Sequence, residues 1–114
     1  MADEREAMLQ GTLEMLVLKI VSLEPMHGWG ITLRIEQMSR SVFAVNQGSL
    51  YPALERLTSK GWLRSEWRTT DSNRRARFYD LTAAGRRRLA AEQATWERTS
   101  TAVNWILAWS GETA

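Results

Sequence analysis

Arginine sets the chemistry available to this chain. Between positions 56 and 88 stand ten basic residues: Arg56, Lys60, Arg64, Arg68, Arg74, Arg75, Arg77, Arg86, Arg87 and Arg88. Only Glu66, Asp71 and Asp80 oppose them, so this segment carries a net +7 and the remaining residues −5. A guanidinium offers a rigid fork of donors that matches phosphate oxygens. Charge polarised in this way fits either the footprint of a nucleic-acid binder or a solvated arginine-rich surface, and charge alone does not choose between them. Catalytic chemistry is sparse by comparison. The 114 residues include one histidine and no cysteine, which excludes disulfides and thiolate metal sites. The nearest carboxylate–imidazole pairing, Glu24 with His27, has no third partner to make a catalytic frame. No enzyme, cofactor or metal site is expected.

These side chains need a scaffold, and the hydrophobic periodicity supplies one. Leu13, Leu16, Val17, Ile20 and Val21 recur at helical spacing, with Met15 and Leu18 off the stripe. That first helix is apolar over most of its circumference and must be buried on more than one side. A second helix is expected from about Gly28 to Ser39, with Ile31, Ile35 and Met38 inward. A third carries Leu50, Leu54 and Leu57 as its stripe, joined by Ala53, and stops at Gly61, a left-handed cap. Asn46 is one candidate N-cap, but it puts Pro52 in the second turn. The regular helix is therefore expected to begin near Gly48. Two alternating, aromatic-bearing strands, Trp62–Arg68 and Ala76–Leu81, flank a loop with Asp71, Ser72 and Asn73 as turn formers. Thr82 then caps a last helix of about 27 residues, about 40 Å long.

Helix, turn, helix and basic-tipped hairpin form the layout of a winged helix-turn-helix, a mainly α fold with a small two-stranded antiparallel hairpin. The expected division is a DNA-reading part at 1–81 and a dimerisation helix at 82–114. On a 100° wheel, the side of the third helix opposite Leu50 and Leu54 carries Gly48, Pro52, Glu55 and Ser59. Ser49, Arg56 and Lys60 lie on one flank, Gln47 and Tyr51 on the other. Small residues at the centre admit a groove, and polar residues around them reach base edges or phosphates. Arg74 and Arg75 at the hairpin tip are the phosphate clamp. Glu55 repels phosphate, so it either accepts from a cytosine amine or points to solvent.

The last helix has two apolar faces. Leu89, Trp96, Val103 and Leu107 form one; Ala91, Ala94, Ala102, Trp105 and Trp109 form the other. Two faces imply two partners: the chain's own first helix and a second subunit. A two-fold dimer would set two reading helices roughly 34 Å apart, one turn of DNA. The polar, acidic start MADEREAMLQ is no secretory leader, and the longest apolar run, Met15–Leu18, is far too short for a bilayer. A cytoplasmic protein without a membrane partner is expected.

In order along the chain, LQGTLEMLVL at 9–18, PMHGWGI at 25–31, QGSLYPALERLTSKGWL at 47–63, EW at 66–67, NRRARFYDLTAAGRRRL at 73–89 and Trp96 resemble the PadR family of transcriptional regulators. The last region is similar to the subfamily with a single terminal helix. Trp29 stands where the family often has tyrosine, and Trp62 where it has an isoleucine-like or small residue. The resemblance implies a homodimeric regulator, usually a repressor, on a palindromic operator of double-stranded DNA. It places DNA contact at Ser49, Tyr51, Pro52, Arg74 and Arg75, with backbone contacts from His27 and Trp29. A capping or core role is the plainer expectation for His27. It also implies a flat aromatic or cationic effector between the terminal helices, at Trp96. The competing reading is a winged-helix module that binds protein and not DNA.

Overall fold

The computed structural model describes residues 12–111. Among the described residues four helices and three short strands follow one another: α1 (Leu13–Leu23), β1 (Met26–His27), α2 (Gly28–Met38), α3 (Gln47–Ser59), β2 (Leu63–Thr69), β3 (Arg75–Leu81) and α4 (Ala83–Leu107). Leu13, Val17, Leu18, Ile20 and Val21 bury α1 on several sides, as its all-round apolarity requires. They meet Ile31 and Ile35 of α2 and Leu50, Ala53, Leu54 and Leu57 of α3 in one core. A fully buried leucine stabilises such a core by about 1.5–3 kcal/mol, so the α3 stripe alone holds the reading helix firmly in place.

The sheet has three strands, in order β1-β3-β2, and not the expected two. Met26 pairs with Tyr79 and His27 with Phe78, both antiparallel. A two-residue strand is too short to show alternation in a sequence, because the signal needs several turns of the period-2 pattern. β2 and β3 pair from Leu63↔Leu81 to Thr69↔Arg75. At the hairpin tip Asn73 takes φ 62°, a left-handed conformation asparagine tolerates. Its N–H donates to the Thr70 carbonyl at 2.9 Å, which closes the turn just before Arg74.

α3 begins at Gln47, one residue earlier than expected, because Asn46 does cap it. The Asn46 side-chain oxygen accepts from the Ser49 N–H at 2.8 Å. Pro52 is accommodated inside the helix. Its exposed side faces away from the core, where a lost backbone hydrogen bond is met by solvent. At the other end Gly61 has φ 76°. The Gly61 N–H donates to Thr58 and the Trp62 N–H to Leu57, the two bonds of a Schellman cap.

That cap is also the seat of α4. Thr82 caps α4 by accepting from the Gly85 N–H at 2.9 Å. Its own hydroxyl lies 2.7 Å from the Gly61 carbonyl and 3.1 Å from that of Trp62. Gly85 lets the Trp62 carbonyl approach: a Cβ here would sit 2.7 Å from Leu81 Cδ1 and closer still to the Trp62 oxygen. The indole of Trp62 lies under both Lys60, the residue that follows α3, and Arg88 of α4, at 4.9 and 4.6 Å from its centroid. The terminal helix therefore grows rigidly out of the end of the reading helix. It then runs clear of the body and contributes to a long axis of 63 Å.

Candidate nucleic-acid interface

A cleft of about 640 Å³ opens between α3 and the hairpin. Tyr51 and Glu55 line it from α3, His27, Gly28 and Trp29 from the start of α2, and Trp67, Arg74, Arg75 and Arg77 from the wing. Strand alternation explains the wing's share. Ser65, Trp67 and Thr69 point to the same face as their partners Tyr79, Arg77 and Arg75. Tyr79 at the inner end is buried in the core beside α3. Burial holds its phenol above the usual tyrosine pKa, although the Arg77 cation pulls the other way. Farther out the hairpin outruns the helix, and its inner face becomes a wall of the cleft.

Glu55 resolves here. Its carboxylate pairs with Arg77 across the cleft at 3.5 Å, and Arg77 donates through Nε to Ser65 Oγ at 2.8 Å. Glu55 remains largely exposed, but its charge is met from within the molecule. Arg56 is also engaged: its Nε donates to Glu14 of α1 at 3.0 Å. It ties α3 to α1 and stands half-exposed on that flank. Lys60 is drawn over Trp62. Gln47, Ser49, Tyr51 and Pro52 stay at the accessible N-terminal half of α3, with the Tyr51 hydroxyl lying against Gly28. Arg74 and Arg75 are exposed at the wing tip.

His27 is a cap. Its Nδ1 accepts from the Gly30 N–H at 3.0 Å, and its ring meets Phe78 edge-on at 5.2 Å. Trp67, which periodicity marked only as a strand aromatic, emerges as a wall of the cleft. Its register pairing with Arg77 was the signal, readable only once the hairpin register is known.

The second predicted site divides. Leu89 is buried in the core, only 7% exposed, on the part of its face that meets the chain's own first helix. It sits two turns into α4, where the helix still lies over α1. Trp96, Val103 and Leu107 lie beyond the body and are exposed. So are Trp105, Ile106 and Trp109. A separate apolar groove of about 300 Å³ runs between α1 and α2, lined by Leu16, Ile20, Ile35, Met38 and Phe43. Among the described residues there is no cluster suited to a metal ion, and no helix is long and apolar enough to cross a membrane.

A helix-turn-helix packed under a basic hairpin defines a winged-helix DNA-binding regulator. Residues 17–91 match the PadR-like family of transcriptional regulators, and the chain belongs to that family. It is accordingly a regulator of transcription and not an enzyme. Over 71 residues, 62% of its length, it is 39% identical to the transcriptional regulator Rv3488 of Mycobacterium tuberculosis, and spans 63% of that relative. A PadR-like regulator of Bacillus cereus superposes with a TM-score of 0.80 at 26% identity, covering 92% of this chain and all of the other. A PadR-family regulator of Eggerthella lenta gives 0.75 at 30% identity, covering 90% of this chain and 87% of its own.

Proposed function

We propose that this protein is a cytoplasmic repressor that binds a palindromic operator as a homodimer. The observation that carries this reading is the cleft itself, in which Tyr51 and Glu55 of α3 and the wing arginines line one space. Gln47, Ser49 and Tyr51 reach base edges and phosphates from α3, and Pro52 allows close approach. Arg74 and Arg75 clamp phosphates beside them, and Lys60 and Arg56 support the flank. The division at residue 82 is functional: 1–81 reads DNA, and the free length of α4 joins two copies. The bare apolar residues of α4 and the groove between α1 and α2 support that joining, since exposed apolar area of this extent seeks cover. Trp96 offers an indole face to a flat aromatic or cationic effector held between the terminal helices, whose binding would release DNA.

The test is selection of bound duplexes from a random library, followed by fluorescence anisotropy between 50 and 200 mM salt. Enriched sequences should be two-fold symmetric. Arg74→Ala with Arg75→Ala should lower the slope of log affinity against log salt by about 2, one per lost phosphate contact. An absence of enrichment together with salt-independent binding would favour the protein-binding module instead.

A further inference from the structure

The wing's inner face carries one large apolar side chain that the fold leaves uncovered. Trp67 is 58% exposed, while Leu63 and Tyr79 on the same sheet face are buried in the core. The difference is position along the hairpin: α3 covers the inner end and stops short of Trp67. The indole stands in the wall of the basic cleft, between Arg77, its register partner, and the tip arginines. The Arg75 guanidinium lies over its ring at 5.6 Å from the centroid. Whatever meets the α3 surface and the wing arginines must also meet Trp67.

We infer that Trp67 is a DNA-contacting residue, packing its free indole face against the sugar wall of the duplex while Arg75, on the other face, reaches a phosphate. This rests on the DNA-binding reading above and extends it from charge to shape. A blade driven between bases would need both ring faces, and Arg75 holds one. Contact with the deoxyribose edge needs only one. Such a contact is apolar, so it adds affinity without releasing counterions. It thus separates from the arginine contacts by its salt dependence.

The experiment uses the full chain and the duplex it selects, with Trp67→Ala, Trp67→Phe and Arg75→Ala compared by anisotropy across a salt series. Fully burying a large apolar side chain is worth about 1.5–3 kcal/mol, so Trp67→Ala should weaken binding by up to about 10–150-fold with the wild-type salt slope. Trp67→Phe should recover part of the loss, and Arg75→Ala should lower the slope by about 1. Urea midpoints serve as the folding control, since a change at an exposed side chain outside the core leaves them nearly unmoved. Three results overturn the inference. Trp67→Ala binding within two-fold of wild type removes the contact. A slope reduced as far as in Arg75→Ala makes the indole a support for Arg75 alone. Wild-type protein without DNA affinity removes the inference together with the reading beneath it, whereas the first two results leave that reading intact.

Discussion

Gly85→Ala should destabilise this protein, although the same change in most helices does the opposite. Alanine outranks glycine in a helix by about 1 kcal/mol at most, and glycine also carries the larger entropy in the unfolded chain. At position 85 the added methyl would lie 2.7 Å from Leu81 Cδ1 and 3.0 Å from the Trp62 carbonyl carbon, against the 3.5–4.0 Å or so of an ordinary carbon contact. The Trp62 oxygen is nearer still. Neither neighbour yields easily, because Leu81 is core and the Trp62 carbonyl is main chain. The start of α4 must therefore back away by about 1 Å. That movement stretches the bonds joining Thr82 to the Gly61 and Trp62 carbonyls, now 2.7 to 3.1 Å long. Overpacking costs about 1–3 kcal/mol, and losing two such bonds about 1–3 more. After the propensity gain, a net loss of about 1–5 kcal/mol is expected, at its upper end a large share of the 5–15 or so typical of a domain. Urea unfolding followed by circular dichroism, at matched protein concentration, measures it. A variant as stable as the parent, or more so, refutes the account of how α4 is seated.

Further outcomes follow from the same geometry. If the proposed dimer forms through α4, Val103→Asp with Trp96→Asp should shift the protein from dimer to monomer in light scattering while leaving the winged core folded, because both side chains lie outside it; an unchanged mass would overturn the proposed α4 contact. Glu55→Gln should leave stability within about 0.5 kcal/mol, since the Arg77 pair is solvent-exposed. It should tighten binding to random duplex DNA and steepen its salt dependence by releasing Arg77, and weaker binding to every duplex would show that the pair positions the wing. Raising pH should erode stability through Tyr79. Its folded pKa lies above the unfolded value of about 10, so its contribution is complete below that pH and is lost as pH rises through the folded value. Tyr79→Phe should flatten that alkaline limb, and an identical limb in the variant would assign it to other groups.

The helices, the hairpin and the basic wing were legible in the sequence because their signals are local. The α3 stripe, the Gly61 cap and the Thr82 cap each need only a few consecutive residues, and each lies where the spacing puts it. The two-strand expectation failed at Met26–His27, which carry no periodicity and become a strand only because β3 arrives beside them. α3 starts at Gln47, one residue before the Gly48 that proline's cost favours, because the side of the helix bearing Pro52 is open.

A small helical protein with a basic hairpin and a two-faced terminal helix can be read from residue types and their spacing alone. Hydrophobic period and turn chemistry act within a few residues of one another. Tertiary structure alone decided which charges remain free. Glu55 meets Arg77 from 22 residues away and Arg56 meets Glu14 from 42. It also decided that Leu89 belongs to the core and Trp67 to the cleft. Those outcomes depend on where one element ends over another, and that end point is set by packing.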